Sequence, residues 1–366
     1  MKKIHYLIQN PLLKIPLKIV DSIGYKFFSK RKSTSTVHPK RILISNIAHL
    51  GDAIIFSAII PILKSQFPNA DLGILIGSWA KEIFSEHPGI KWIHFLDHWK
   101  LNRASISLIK KMKRHFFIRR KTIKEIQRIN YDLSIDFYPF FPNTSYVLWK
   151  GNVPIRLGYN SAGLGFLFTS DLNWHLSDRF ILEYHMDLLK LLNLKKPFFK
   201  AKPLLKPLQD DILIKIKNKT SSSFLGDNYI VLHSCSGNPM KEWPENYWIE
   251  LVNKLQFKNA SFLFTGKGKR ESQRVAKIIP HAKNCYNLVD QLLINEFFAL
   301  IAKAKLLICS DSLPVHIAWA YDTPSIVIQQ KTLDASLWSP PNPNCFFLRK
   351  EQSPDYILSL SSTFIK

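Results

Sequence analysis

Short apolar runs alternate with longer amphipathic ones along most of this chain. "KRILISN" (40–46), "DLGILIG" (71–77), "KWIHFLD" (91–97) and "YDLSIDF" (131–137) read as strands buried in a parallel sheet, each separated from the next by enough chain for a helix. A passage rich in Lys, Pro and Ser follows, "KKPFFKAKPLLKPLQDDILIKIKNKTSSSFLGDN", which predicts a linker with one short helix and a boundary near 205–227. The alternation then restarts with "YIVLHS" (229–234), "ASFLFTG" (260–266), "KLLICSD" (305–311) and "PSIVIQQ" (324–330), with helical patterns such as "ENYWIELVNKLQF" and "INEFFALIAKA" between them. The pattern predicts an α/β fold of two doubly wound, Rossmann-like domains, whose ligands bind outside the carboxyl ends of the strands.

Composition agrees with this picture. A chain of 366 residues, 46% hydrophobic and 21% charged, is globular material and too long for one comfortable core. Its four cysteines form no CxxC pair and share no metal-ligand spacing with the histidines, so neither a disulfide framework nor a zinc site is indicated, and a reducing cytosol is expected. No apolar run approaches the roughly 20 residues that span a bilayer. The start, "MKKIHYLIQNPLLKIPLKIV", is broken by Pro11, Pro16 and lysines rather than carrying a signal-peptide core, so the chain is expected to be soluble or peripheral.

The net charge of +24 is concentrated: residues 1–41 and 100–128 together supply 19 of the 24 charges. Clustered Lys and Arg suit nucleic acid, by neutralising phosphates. They equally suit an anionic membrane surface. In "PLKIVDSIGYKFFSKRK" and "ISLIKKMKRHFFIRRKTIKEIQRI" the charges alternate with Leu, Ile, Met and Phe at roughly helical spacing, which fits a helix lying among lipid headgroups and favours the membrane over nucleic acid. The plain alternative is a solvated basic face over an ordinary core stripe.

Three loops at predicted strand ends carry the candidate chemistry. In "ISNIAHLGDAIIFSAII", Asp52 follows a glycine turn and opens a helix, where it can serve as a cap or as a functional carboxylate. In "HSCSGNPMKEWPENYW", Ser234, Ser236 and Gly237 offer hydroxyls and amides, and Lys241 offers a point charge that suits a phosphate or is simply a solvated loop lysine. In "ICSDSLPVHIAWAYDTPSIVI", Asp311 and Ser312 follow a strand and Pro314 begins a helix whose first amides can meet an anion; His316 is either part of that site or a satisfied helix-face histidine.

Taken in order, "RILISNIAHLGDAIIFSAIIPILKSQFPNADLGIL", "YDLSIDF", "IRLGY", "EYHMDLLKLL", "KEWPENYWIEL", "FLFTGKGKRE" and "SDSLPVHIAWAYDTPSIVI" resemble the blocks of glycosyltransferase family nine, the bacterial heptosyltransferases of lipopolysaccharide assembly, over about residues 40–345. The resemblance implies a GT-B fold: a basic extension (1–39), an acceptor domain (40–205), a linker (206–227), a nucleotide-sugar domain (228–345) and a C-terminal segment (346–366), with the two domains facing a cleft. It implies that Asp52 is the catalytic base, that Lys241 meets donor phosphate, and that Glu271 in "GKGKRE" contacts the nucleoside ribose. Asp311, Ser312 and His316 would lie beside the diphosphate, with Ser234 and Ser236 in the donor loop.

The implied activity is transfer of a sugar, heptose by this resemblance, from a nucleotide diphosphate such as ADP-heptose to a lipopolysaccharide core or lipid A-type acceptor, by an enzyme on the cytoplasmic face of the inner membrane. No cofactor is expected. An Asp-x-Asp metal motif is absent from the sequence, and Lys241 with the amides around Ser312–His316 can offset the leaving group's charge instead. Attack opposite the leaving group inverts the anomeric centre. Cys235, Leu313 and Gln330 stand where the family usually has glycine, and Asn46 where arginine is common. These departures leave open another sugar on another glycan, or a non-catalytic relative that binds lipid or nucleic acid.

Overall fold

Among the residues described in the computed structural model (4–8, 10–28, 38–140, 144–194, 201–220, 228–255, 260–281, 284–330 and 335–364), twelve strands form two sheets, and every pairing is parallel. The chain divides into two compact units, Met1–Lys206 and Pro207–Lys366. The expected basic stretch at 29–32 and the linker residues 221–227 lie outside the described residues.

The first unit holds β1 (Arg41–Asn46), β2 (Asp71–Ile76), β3 (Trp92–Phe95), β4 (Leu133–Asp136), β5 (Ile155–Tyr159) and β6 (Ser170–Leu172) in the order β3-β2-β1-β4-β5-β6. Its helices are α1 (Pro11–Phe27), α2 (Leu50–Ser57), α3 (Ile59–Gln66), α4 (Lys81–Phe84), α5 (Leu108–Ile129), α6 (Thr144–Lys150) and α7 (Ile181–Lys190). The second unit holds β7 (Tyr229–His233), β8 (Ser261–Phe264), β9 (Cys285–Asn287), β10 (Leu306–Ser310), β11 (Ser325–Gln329) and β12 (Cys345–Arg349) in the order β12-β11-β10-β7-β8-β9. Its helices are α8 (Ile212–Thr220), α9 (Glu245–Leu255), α10 (Lys269–Ile278), α11 (Ile294–Ala302), α12 (Leu313–Tyr321), α13 (Ala335–Trp338) and α14 (Pro354–Ser361).

The two orders describe the same topology. In each, the first strand is central, the next two step to one side, and the fourth returns to pair on the other side. The order therefore reverses between β1 and β4, and again between β7 and β10, leaving a crevice at the carboxyl ends of each pair.

Parallel strands need crossover helices on both faces, so their side chains must be apolar up and down. β1 and β10 meet this demand: Ile42, Leu43 and Ile44, like Leu306, Leu307 and Ile308, are fully buried. In the second unit Ile230, Leu306 and Phe262, and then Leu232, Ile308 and Ile326, line up in register across the sheet. These rows pack beneath Trp243 and the Trp248, Leu251 and Val252 face of α9.

β5, β6, β9 and β12 have no counterpart among the predicted strands. β9 is three half-buried residues and β12 is a partly exposed edge strand, so neither carries a continuous apolar run. In β5 the run is interrupted by Arg156, whose guanidinium is used up on the Leu167 and Val153 carbonyls. The helix within the expected linker is α8, which buries Ile212 and Ile216 and pairs Lys219 with Glu296 at 2.7 Å.

Ile308→Ala should cost about 2–5 kcal/mol in urea denaturation, because a fully buried residue at the centre of a close-packed layer leaves a cavity. A loss below about 1 kcal/mol would mean that the layer collapses around the gap.

Candidate functional site

In the second unit the crevice between β7 and β10 gathers most of the residues singled out from the sequence. The loop after β7 turns through Asn238, whose side-chain oxygen accepts from the Met240 amide at 3.1 Å, and places Lys241 at the end of a single 3-10 turn. From there Lys241 Nζ reaches Asp311 Oδ2 at 2.7 Å, joining the loops that follow the two neighbouring strands. The Lys241 side chain is 33% exposed and that of Asp311 14%, so the pair is half sheltered but reachable.

Ser312 caps α12 in extended conformation, and Pro314 occupies its first turn, where a missing N–H costs nothing. The Ser312 hydroxyl donates to the Ser310 carbonyl at 3.2 Å and leans toward the Cys235 carbonyl at 3.5 Å, tying the start of α12 to the β7 loop. One turn in, His316 is 6% exposed, and its Nδ1 has no hydrogen-bond partner among the described residues. Burial holds its pKa down at about 4, against a raising influence from Asp311, and Lys241 adds to the lowering. The ring is therefore neutral at pH 7. A buried ring nitrogen without a partner is costly unless something else supplies the bond.

The two serines of the β7 loop serve the loop itself. Ser234 is fully buried, and its carbonyl accepts from Ser310 Oγ at 3.3 Å. Ser236 Oγ donates to the Asn238 carbonyl at 2.9 Å and accepts from the Asn238 amide at 3.0 Å, so its hydroxyl closes a turn. Cys235 is likewise wholly buried, and burial lifts its thiol to about 11, which makes it an inert filler rather than a nucleophile.

Sequence reasoning missed what holds this loop in place. Arg270 binds both oxygens of the buried Glu242 carboxylate, at 2.9 and 2.7 Å, and donates to the Ser236 carbonyl at 2.7 Å; Glu242 in turn accepts from the Ser236 amide at 2.8 Å. This two-toothed pair locks the β7 loop to the start of α10. The signal was one residue of opposite charge beside each candidate, Glu242 after Lys241 and Arg270 before Glu271.

Glu271 stands in the first turn of α10. Its Oε2 accepts from the Lys267 amide at 2.8 Å, and burial raises its pKa. Gly268 adopts φ +95°, which the turn requires of a glycine, and a Cβ at residue 266 would lie 2.7 Å from that oxygen and push the carboxylate aside.

The first unit repeats the logic between β1 and β4. The N-cap of α2 is His49 rather than Asp52; Asp52 stands at the third helical position and accepts the His49 amide at 3.1 Å, the reciprocal half of a capping box, which does not preclude a second role. Asn46 accepts from the Ala48 amide at 3.1 Å, and the Trp79 indole donates to the Ala48 carbonyl at 2.7 Å, which fixes the loop leading to Asp52. His49 is held neutral, its pKa lowered to about 4 by burial and then by Arg103. Tyr138 is kept protonated by burial and by the charges of Asp52 and Asp136, which places all three in one neighbourhood.

Asp136 is a further residue that sequence reasoning passed over. It is fully enclosed at the end of β4, accepting from Ser45 Oγ at 2.9 Å and from the Tyr138 amide at 3.3 Å, and burial raises its pKa to about 7.

Two parallel, doubly wound units of identical strand order, each with polar loops at its point of strand reversal, are the architecture of the GT-B fold. The chain belongs to glycosyltransferase family 9 (heptosyltransferase), whose model matches residues 119–355. It is 22% identical over 308 residues to lipooligosaccharide heptosyltransferase 2 of Haemophilus influenzae, covering 80% of this chain and 83% of that one. Among solved structures it superposes on a family 9 glycosyltransferase from Veillonella parvula with a TM-score of 0.75 (17% identity, 89% and 97% of the two chains). It superposes on Escherichia coli ADP-heptose lipopolysaccharide heptosyltransferase II with a TM-score of 0.71 (16% identity, 89% and 98%).

The raised pKa of Asp136 has a definite sign. The folded state keeps this proton above pH 3.8, where the unfolded chain has lost it, so folding is increasingly opposed as pH rises from there through about 7. Denaturation at a series of pH values should show Asp136→Asn gaining on the wild type across that window, with a constant difference above it. A difference independent of pH would mean that Asp136 is already ionised in the fold.

Proposed function

We propose that this chain is an inverting, metal-independent heptosyltransferase that moves heptose from ADP-heptose to a lipopolysaccharide core or lipid A-type acceptor. The observation that carries the reading is the Lys241–Asp311 pair at the β7/β10 strand reversal, with the unpartnered nitrogen of neutral His316 on the helix that starts there. The names of the Haemophilus and Escherichia relatives support heptose as the sugar, ADP as the nucleotide and a lipooligosaccharide or lipopolysaccharide acceptor.

In this reading the donor diphosphate takes up Lys241 Nζ, the first amides of α12 and His316. As the glycosidic bond breaks, charge builds on the leaving phosphate, and positive potential already in place there stabilises the transition state more than the ground state. Asp311 keeps Lys241 aimed before the donor arrives. Glu271, presented by its two glycines, takes the ribose hydroxyls. Ser234 and Ser236 shape the loop and contribute through its backbone.

Asp52 acts as general base on the acceptor hydroxyl, which attacks from the face opposite the diphosphate. Cys235 and Leu313, in place of glycine, are compatible with donor binding, because the thiol is turned into the core and Leu313 is itself part of the first turn of α12. Because the acceptor is lipid-borne, the enzyme works on the cytoplasmic face of the inner membrane as a peripheral protein, drawn there by its two basic segments.

Purified protein incubated with ADP-, UDP- and GDP-linked sugars should release nucleoside diphosphate from ADP-heptose; release only from another donor would overturn the choice of sugar nucleotide. Asp52→Asn should lower turnover about a hundredfold or more while ADP affinity stays constant. Near-normal turnover would reduce Asp52 to a helix cap. Lys241→Ala should weaken ADP binding about tenfold or more in a calorimetric titration, the scale of a lost charge-assisted phosphate contact. Unchanged affinity would put the diphosphate elsewhere.

A further inference from the structure

α1 packs against the first unit with the wrong side, judged as an ordinary amphipathic helix. Its inward stripe runs through Leu17, Asp21, Gly24 and Tyr25 at three- and four-residue spacing. Asp21 is 1% exposed and accepts from the Tyr6 hydroxyl at 2.7 Å, the Tyr25 hydroxyl donates to Asp171 at 3.0 Å, and Gly24 lies flat against the Phe166 ring. The polar groups thus hold the helix in place, and the apolar ones face out: Leu12 is 83% exposed, Phe27 75%, Ile15 59% and Ile19 56%. A helix buries its apolar stripe wherever it can, so among the described residues this one still has a face without a partner.

The first half of α5 does the same. His115 and Thr122 turn inward, His115 bonding the Asp97 carbonyl and Thr122 the Phe95 carbonyl, while Leu108, Ile109 and Phe117 stand 59–72% exposed. α5 also carries nine Lys or Arg against one Glu. That Glu125 is engaged with His94 at 3.1 Å and Lys121 at 3.8 Å.

Aromatic contacts join the two helices through α6. Phe28, at the end of α1, packs edge-on against Trp149 at 6.1 Å; Trp149 packs against Tyr146 at 6.0 Å; and the Arg119 guanidinium of α5 covers both Tyr146 and Phe116. Lys150 lies over the Trp149 ring at 4.5 Å. Both helices thus present exposed apolar and basic side chains, the basic ones denser on α5, with Trp149 and Tyr146 between them.

We infer that α1, α6 and α5 form one face by which the first unit docks onto a phospholipid leaflet carrying anionic headgroups. This rests on the peripheral reading given above and assigns the surface that serves it. The composition selects lipid over nucleic acid, since exposed Leu and Ile side chains gain nothing from a phosphate backbone but are stabilised among acyl chains. No helix of the described residues is long and apolar enough to cross a membrane, so the face lies on the leaflet. The two helices contribute in different proportion. α1 enters the headgroup layer mainly through its apolar side chains, with Lys14, Lys18 and Lys26 adding a smaller attraction, whereas α5 is attracted chiefly through charges such as Lys113, Arg120 and Lys124, so its share is the more strongly screened by salt.

The full chain is sedimented with vesicles of phosphatidylcholine alone or mixed with phosphatidylglycerol, at low and high salt. The wild type should bind the mixed vesicles strongly at low salt. Ile15→Ser/Ile19→Ser/Phe27→Ser should bind about tenfold less at either salt. Lys113→Glu/Arg120→Glu/Lys124→Glu should bind about a hundredfold less at low salt and show a smaller salt dependence than the wild type. All three proteins should melt alike, since every substituted side chain is exposed. Wild-type binding that both variants retain would overturn this face while leaving the peripheral reading intact. No wild-type binding, or tighter binding to RNA at the same salt, would overturn both.

Discussion

Every strand pair among the described residues is parallel, and that constraint decides where chemistry can sit. A parallel sheet cannot be closed by hairpins; each strand must be reached by a crossover, so both faces are covered by helices and all carboxyl ends lie along one edge. With both faces buried, the loops collect along that edge and its opposite. Where the strand order reverses, consecutive crossovers leave on opposite faces and their loops part. Asp52 and Asp136 lie at that place in one unit, and Lys241, Asp311 and Ser312 in the other.

The second unit shows how such an edge can be made ready for an anion. Two loops far apart in sequence are joined by an ion pair, Lys241 to Asp311, and one of them is further fixed by Arg270 on Glu242. Side chains held in this way lose little freedom when a ligand arrives, and preorganised charge is what a developing phosphate charge requires. Neutral His316 completes the set. Buried beside both members of the pair, it can offer a hydrogen bond without adding a second positive charge that Lys241 would oppose.

The central strands were legible because burial on two faces leaves an unmistakable apolar run, as in "RILIS" and "LLICS"; the loops after them followed from the parallel-sheet rule. Of the edge strands only β3 was legible, in "KWIHFLD". Cys285–Asn287 and Cys345–Arg349 are short or half exposed, so their pairing depends on a neighbour that no local pattern announces. Lys241 was found as a type suited to phosphate, and Asp311 and His316 by their place at a strand end and helix start, but the contact of Lys241 with Asp311 needed the fold, because 70 residues separate them. Ser236 had the right chemistry for a ligand, yet its hydroxyl closes its own turn. Arg270 and Glu242 escaped notice because each looks like an ordinary surface charge until the sheet brings residues 28 apart together. For the same reason the helical period of residues 11–27 showed amphipathicity but not which side would face in.

Family membership and fold leave the proposed reaction as the claim most in need of a direct test. The product formed from ADP-heptose and a heptose-accepting glycolipid core should be examined by NMR for the configuration at the new anomeric carbon, with the rate followed in the presence of excess chelator. The proposed mechanism, with Asp52 as general base and the donor diphosphate on Lys241 and the first amides of α12, predicts a single displacement: the anomeric configuration opposite to that of the donor, at a rate the chelator does not change. Retained configuration, or activity abolished by the chelator and restored by a divalent metal, would contradict it.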